Sequence, residues 1–165
     1  MNRPTPTDRA NRIFEIAREF DAPREEVFRY FVEPELIARW WGPDGFATPV
    51  EQVEVEARVG GPYRKTMVLE SEQIAAGMGV PVGTPFPDQA TVLEIVPPEL
   101  LVVTSEAQPE MGLVERTVTR IELHAMGPER TRVVLVDGPY DEMMAPHAET
   151  GWMQQFGKLE RLLAG

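Results

Sequence analysis

The sequence predicts an α+β fold in which a curved antiparallel sheet of about six or seven strands wraps around a long C-terminal helix, with two short helices closing one end. Two patterns carry this prediction. Short runs between residues 13 and 137 alternate apolar and polar side chains, which is the period of a strand with one buried face. Near the C-terminus, apolar residues instead recur every three or four positions, as on one face of a helix. The length of 165 residues suits one domain with a substantial core.

The first predicted strand spans residues 13–20, and its inward face carries Phe14, Ile16 and Phe20. The segment Asp21-Ala22-Pro23 follows it. Proline is favoured at the first helical position, and an aspartate just before it can cap the helix N-terminus. This segment therefore predicts the start of the first short helix.

A second short helix should end at Trp40 and Trp41, because Gly42 can adopt a left-handed cap and Pro43 cannot continue a helix. Adjacent helical residues point about 100° apart. We therefore expect one tryptophan to fill the core and the other to lie at the rim of a cavity.

Six further runs have the alternation of strands. In the second of them, residues 63–70, Lys65 shares one face with Tyr63, Met67 and Leu69, and a turn at Gly60-Gly61 leads into it. The runs cover residues 50–56, 63–70, 91–96, 100–105, 114–125 and 130–137.

The segment 71–89 is rich in glycine and proline, yet it carries several apolar residues that a solvent-exposed loop would not need. We expect it to form the tip of a hairpin, with residues 77–86, including Met78 and Phe86, as a lid. The C-terminal helix follows from residue 141 onward, and its apolar stripe consists of Met144, Ala148, Trp152, Phe156, Leu159 and Leu163.

Composition excludes several classes of function. The net charge of -11, from 16 basic and 27 acidic residues, repels nucleic acids and anionic membrane surfaces. No apolar run is long enough to span a membrane, and the polar N-terminus does not have the pattern of a signal peptide. The chain has no cysteine, which fits the reducing cytoplasm.

Residues 1–11 are expected to be a flexible tail and residues 12–165 a single domain. Only Lys65 and Lys158 of the basic residues are lysines, which is typical of a high-GC bacterial source.

No motif predicts a catalytic residue, a metal ligand or a cofactor site. The two histidines, His124 and His147, are 23 positions apart and lack a metal-binding spacing. Glu56 and Arg58 lie on one face of their strand, which allows two interpretations. They form an exposed ion pair of little energetic value, or they enter a cavity as a polar clamp. We favour the exposed pair, since charged residues are rarely buried.

Five motifs in order along the chain resemble the SRPBCC (START-like) superfamily, and specifically the branch named after the C-terminal domain of the heat-shock protein 90 ATPase activator. The resemblance spans residues 12–164 and implies a helix-grip (START-like or Bet v-like) fold with a cavity between sheet and helix. The motifs are Ala22-Pro23…Val27-Phe28, Pro34-Glu35…Trp40-Trp41-Gly42-Pro43, Glu56-x-Arg58-x-Gly60-Gly61, Leu93-Glu94-Ile95-x-Pro97-Pro98 and Gly151-Trp152…Leu159…Leu162-Leu163.

Three functions are consistent with this resemblance. The first is a protein that binds an apolar or amphipathic small molecule in that cavity without covalent chemistry, with Arg58 and Tyr63 as polar contacts. The second is an enzyme of the polyketide cyclase or dehydratase type, whose acid or base would be His147, Glu56 or Tyr63. The third is a chaperone-linked interaction domain, and a homodimer is also expected to be possible. The sequence favours the binding protein, with a cavity lined by Trp41, Phe46, Arg58, Tyr63, Met67, Trp152 and Phe156.

Overall fold

A computed structural model describes residues 12–111, 113 and 115–165 of the chain. The expected tail, residues 1–11, lies outside the described residues. The strands are β1 (Phe14–Phe20), β2 (Phe46–Ala47), β3 (Val53–Val55), β4 (Pro62–Leu69), β5 (Pro85–Val96), β6 (Leu100–Ser105), β7 (Thr117–Ala125) and β8 (Thr131–Gly138). The helices are α1 (Arg24–Val32), α2 (Pro34–Ile37), α3 (Glu72–Met78) and α4 (Ala145–Ala164), with short 3-10 turns at Val50–Gln52 and Pro109–Met111.

In the described part of the chain, the strands form one antiparallel eight-stranded sheet in the order β1-β8-β7-β6-β5-β4-β2, with β3 pairing beside β4. The sheet curls around α4, and α1 and α2 cover one end. This is the predicted helix-grip architecture, so the fold prediction is confirmed. The short strand β2 was not among the predicted strands. It consists of two residues, too few for an alternating pattern to be visible.

Strand β1 and helix α4 follow their sequence patterns, although α4 begins at Ala145 rather than at residue 141. Phe20 is buried on the inner face of β1, and Phe14 and Ile16 pack against the core. In α4, Trp152, Phe156 and Leu159 are buried between the helix and the sheet. At about 25 cal/mol per Å² and about 150 to 250 Å² per aromatic side chain, Trp152 and Phe156 each contribute roughly 4 to 6 kcal/mol before conformational entropy is subtracted.

The structure corrects the prediction between residues 71 and 96, where a helix replaces the expected loop. Ser71 begins α3 by accepting a hydrogen bond from the Ile74 backbone N–H at 3.2 Å, and Gly79 ends it with a left-handed φ of 72°. Strand β5 starts at Pro85 rather than at residue 91. The pairing of β6 begins only at Ala90, so the first part of β5 has one strand neighbour, and an edge tolerates proline.

Two smaller corrections concern strand ends. Residues 50–52 form a 3-10 turn, and only Val53–Val55 of the expected strand pair with β4. β7 begins at Thr117 rather than at residue 114, which lies outside the described residues. In the described residues, no helix is long and apolar enough to cross a membrane.

Candidate functional site

An aromatic cluster lies between the sheet and α4 and includes the rings of Trp40, Trp41, Trp152 and Phe156. The Trp41 ring meets the Trp152 ring edge-to-face at 5.2 Å, and Phe156 lies 5.6 Å from Trp152 and 6.3 Å from Trp40. Helical hydrogen bonds continue past α2 to the Trp41 backbone N–H, and Gly42 then turns the chain with a φ of 103°. Helix α2 itself therefore ends at Ile37, before the predicted end at Trp40 and Trp41, and hydrogen-bonded turns connect it to the tryptophan pair.

Both tryptophans are buried, which corrects the expectation that one would lie at a rim. Trp40 is fully buried and its Nε1–H donates to the Tyr30 carbonyl oxygen at 2.9 Å. Trp41 retains 9% exposure. Both rings can face inward because the chain leaves the helix at this point, so the 100° rotation between adjacent helical residues does not separate them.

A lysine and an aspartate face each other across β4 and β5 on the inner surface of the sheet. Lys65 and Asp88 are direct partners in the strand register, and Lys65 Nζ lies 3.2 Å from Asp88 Oδ2. The Lys65 side chain is only 1% exposed, whereas that of Asp88 is 32% exposed. Ser105 on β6 donates its hydroxyl to the other oxygen of Asp88 at 2.9 Å. The pair thus has its open side at the carboxylate.

Aromatic rings enclose the Lys65 ammonium. Nζ lies 4.0 Å from the centroid of the Trp41 ring and 3.8 Å from that of Tyr63, and it also donates to the Tyr63 carbonyl oxygen at 3.4 Å. Both rings and Asp88 favour the charged amine. Burial disfavours it more strongly, and the pKa of Lys65 is lowered to about 8.

A second buried carboxylate connects the sheet to α4. Asp137 is 1% exposed; its Oδ1 accepts from the Thr119 hydroxyl at 2.7 Å, and its Oδ2 accepts from the Tyr140 hydroxyl at 2.7 Å and from Trp152 Nε1–H at 2.9 Å. Burial raises the pKa of Asp137. The three hydrogen bonds lower this pKa and the negative charge of Asp88 raises it, and the pKa remains above its usual value. Burial also raises the pKa of Tyr140, and the charges of Asp137 and Asp88 raise it further.

The polar inner-face residues occupy neighbouring strands at one end of the sheet, and we call this set the polar row. Asp137 is the last member at the end next to α4, and Lys65 is the last member at the end next to Trp41. The members are Lys65 on β4, Asp88 on β5, Ser105 on β6, Thr117 and Thr119 on β7, and Asp137 on β8. Apart from the buried Thr131, whose hydroxyl donates to the Ala22 carbonyl oxygen, the inner face is mainly apolar and includes Val92, Leu101, Val103, Ile121, Leu123, Val133 and Leu135.

Three side chains of α4 hold the turn that follows Trp41. Gln155 accepts from the Gly42 backbone N–H at 2.6 Å, and Gln154 accepts from the Asp44 N–H at 3.0 Å. Lys158 Nζ donates to the Gly42 carbonyl oxygen at 2.7 Å, with the carbonyls of residues 43 and 46 at 3.4 Å. We call these contacts the α4 clasp. It fixes the Trp41 ring against Trp152.

The structure brings several of the predicted cavity residues together. Trp41, Trp152 and Phe156 share the aromatic cluster. Phe46 and Phe86 are half-buried and meet edge-to-face at 5.6 Å, and Phe86 pairs with Met67 in the register of β4 and β5. Of the two lid residues, Phe86 is therefore part of β5, whereas Met78 ends α3 and is 49% exposed.

The predicted polar contacts lie elsewhere. The guanidinium of Arg58 is exposed and pairs with Glu56 at 2.6 Å, which matches the favoured interpretation of these two residues as an exposed ion pair. The Tyr63 ring is buried beside Lys65, but its hydroxyl donates to the Phe31 carbonyl oxygen at 2.5 Å and so fastens α1 to β4. Burial raises the pKa of Tyr63.

The acid and base candidates from the sequence do not converge on the polar row. His147 is exposed at the start of α4, and Glu56 is exposed beside Arg58. His124 lies by a surface cavity of about 370 Å³ at the other end of the sheet, where it contacts Glu122 at 3.1 Å. Within the described ranges, no three His, Cys, Asp or Glu side chains are grouped as a metal site.

Sequence reasoning missed Asp88 and Asp137 as site residues and did not select Lys65. One signal for Lys65 was available, because this lysine lies between Tyr63 and Met67 on an otherwise apolar strand face, and lysine is rare in the chain. Asp88 follows two prolines, and Asp137 is at a strand end, so their local sequence carries no comparable signal.

The chain resembles known proteins over nearly its whole length. The family model described as Activator of Hsp90 ATPase homolog 1-like protein matches residues 21–164. A crystal structure of a protein from Chromobacterium violaceum is 24% identical with a TM-score of 0.78, covering 93% of this chain and 98% of that one. The AHSA1 protein from Silicibacter pomeroyi is 22% identical with a TM-score of 0.72, covering 92% and 97%.

A third structure, of a protein from Nitrosomonas europaea, is 23% identical with a TM-score of 0.72 and covers 92% of this chain and 94% of that one. These likenesses establish the fold. No curated protein matches the chain.

Proposed function

Because the chain belongs to the Activator of Hsp90 ATPase homolog 1-like family, whose sequence pattern extends over residues 21–164, we propose that it binds an apolar or amphipathic small molecule between the sheet and α4. The observation that carries this proposal is the Lys65–Asp88 pair on the inner face of the sheet. Removing an ammonium from water costs several kcal/mol, which a single carboxylate offsets only partly.

A domain of this size does not need a charged pair among its core rings. An apolar pair of similar volume is often as stable or more stable. Lys65 and Asp88 therefore have the character of a functional site, where burial and a specific charged partner perturb an ionisable group. The partial exposure of Asp88 supports access from one side.

The residues around the Lys65–Asp88 pair suit a ligand with one polar end and one apolar end. The polar group of the ligand would meet Lys65 and Asp88, and its apolar part would lie along Trp41, Met67 and Trp152. Most ligand sites combine an apolar lining with a few polar groups in this way. Relative to the lining expected from sequence, this proposal replaces Arg58 and the Tyr63 hydroxyl with Lys65 and Asp88.

Native mass spectrometry of freshly expressed protein, before and after denaturation, tests the proposal. We expect a small molecule that is retained in the native state and released on denaturation. Lys65→Met should lose it or retain much less. Arg64→Met is the matched control, because Arg64 immediately precedes Lys65 in β4 and its exposed side chain pairs with Glu54 at 3.2 Å.

Circular dichroism of both variants would separate loss of binding from loss of folding. If the wild-type protein is ligand-free and binds no member of a panel of fatty acids, fatty alcohols and aromatic ketones, the proposal is wrong. If the Lys65→Met and wild-type proteins retain the small molecule equally, the polar row is not part of the binding site.

Three further expectations from the sequence remain predictions. Cell fractionation would test a cytoplasmic location, and light scattering would test a homodimer. A pull-down with a heat-shock protein 90 homologue would test a chaperone-linked role.

A further inference from the structure

We propose that Lys65 condenses with the carbonyl group of the bound molecule, so that the ligands of this site are apolar aldehydes and ketones. This inference rests on the proposed binding function and names its ligand class. It depends on three features of the described residues: an enclosed amine, a carboxylate positioned to move protons, and an apolar wall for the rest of the ligand.

The amine is enclosed but not isolated. The Trp41 and Tyr63 rings lie 4.0 and 3.8 Å from Nζ and exclude water from two sides. Asp88 lies 3.2 Å away and is the more exposed member of the pair, with 32% of its side chain accessible. A carbonyl group that enters beside Asp88 therefore meets the nitrogen and the carboxylate together. An amine in such an apolar pocket is activated as a nucleophile because its charged form is poorly solvated.

The protonation state supports this role. With a pKa of about 8, Lys65 is neutral in roughly one molecule in ten at pH 7, against roughly one in several thousand for an ordinary lysine. The ionisable groups around it are Asp88, which favours the ammonium, and Tyr63. The pKa of Tyr63 is raised, so the phenol stays neutral at this pH.

The reaction balances without an oxidant or a reductant. The Nζ lone pair forms a bond to the carbonyl carbon as the C=O π bond breaks, and Asp88 carries a proton from nitrogen to oxygen. The second proton is the one that the Lys65 ammonium gave to Asp88 before the attack; Asp88 now delivers it to the hydroxyl, the C–O bond breaks, one water molecule leaves and the nitrogen lone pair forms the C=N bond. The resulting iminium ion is positively charged and stays beside the Asp88 carboxylate. Ser105 holds the carboxylate in place through its other oxygen, at 2.9 Å.

Benzoylacetone, an aromatic β-diketone, is a suitable probe. Its iminium ion loses a proton from carbon and becomes a stable, conjugated enaminone, which absorbs in the near ultraviolet and needs no trapping reagent. We expect wild-type protein to gain the mass of one benzoylacetone less one water molecule, located on the peptide that contains Lys65. The reaction rate should rise with pH and level off above about pH 8.

The lysine content makes the control simple, because Lys158 is the only other lysine in the chain. Arg64→Met should form the adduct at the wild-type rate with the peptide that contains Lys158 unlabelled, and Lys65→Met should form none. Since Lys65→Met leaves Asp88 without its partner, Lys65→Met/Asp88→Asn provides a second variant without the amine and without an isolated charge.

Peptide mapping of the wild-type protein decides the inference even if neither variant folds. Absence of an adduct at Lys65, or equal labelling of Lys65 and Lys158, overturns it. Native mass spectrometry of the same samples assesses the proposed function separately. Reversible binding of benzoylacetone without an adduct would leave the binding function supported and the condensation refuted.

Discussion

Raising the pH from 7 to 10 should stabilise the wild-type protein relative to Lys65→Met by about 2 to 3 kcal/mol. Burial lowers the pKa of Lys65 in the folded protein to about 8, from 10.5 in the unfolded chain. Between these two values the unfolded chain holds a proton that the folded protein has released. The free energy of unfolding therefore rises with pH, by up to about 1.4 kcal/mol per pH unit.

Below pH 8 both states hold the proton, so most of the change falls between pH 8 and 10. Other groups also titrate at high pH. Lys158 has a lowered pKa and acts in the same direction, whereas Tyr63 and Tyr140 have raised pKa values and oppose it as the tyrosines of the unfolded chain ionise around pH 10. All three are present in both proteins, so the difference between wild type and variant isolates Lys65.

Urea denaturation followed by tryptophan fluorescence, at one-unit steps from pH 7 to 10, measures the effect. Arg64→Met provides the control, since arginine does not titrate in this range and its difference from wild type should stay constant. A wild-type advantage that is flat or falls with pH would refute the reasoning. It would mean that the rings and Asp88 outweigh burial at Lys65.

The remaining predictions concern stability and are also measured by urea denaturation. Asp137→Asn should cost about 1 to 3 kcal/mol, because an amide NH₂ would face one of the donors that the carboxylate now accepts from, and an unchanged midpoint would contradict the assigned hydrogen bonds. Phe156→Ala should cost about 3 to 5 kcal/mol, since the ring is fully buried, and a loss under 1 kcal/mol would contradict its place in the core. Gly138→Ala should cost about 1 to 3 kcal/mol, because φ is 142° and the added Cβ would lie 2.8 Å from the Arg12 carbonyl oxygen. His147→Ala should change stability by less than about 0.5 kcal/mol and leave ligand retention unchanged, as expected for an exposed side chain, and lost retention would return His147 to the site.

Local periodicity was sufficient to predict the main strands and the C-terminal helix, because it reports directly on which face of an element is buried, and the five family motifs added the helix-grip arrangement. The stripe through Trp152 and Phe156 defined α4, and the alternation in β1 placed Phe20 inward. Helix α3 was missed for a different reason. Its glycine-rich surroundings obscured a capping serine at Ser71 and a left-handed glycine at Gly79, although both signals were in the sequence.

The polar row could not be predicted in the same way, because its members meet only through strand register and helix docking. A lysine in an alternating strand indicates a solvent-facing or edge position, and only the pairing of β4 with β5 supplies its carboxylate. That pairing runs through Pro85 and Pro87, which locally argue against a strand. Likewise, the contact of Asp137 with Trp152 depends on how α4 lies on the sheet.

The α4 clasp has a consequence for how this chain can vary. The hydrogen bonds that Gln154, Gln155 and Lys158 make to the turn at residues 42–46 all go to backbone atoms. Peptide N–H and carbonyl groups are the same whatever side chain a residue carries. The hydrogen bonds therefore do not depend on the side chain at an exposed position such as Asp44, where a substitution would remove only the attraction between its carboxylate and the Lys158 ammonium. Substitution of Gln154, Gln155 or Lys158, in contrast, removes a hydrogen bond that holds the turn.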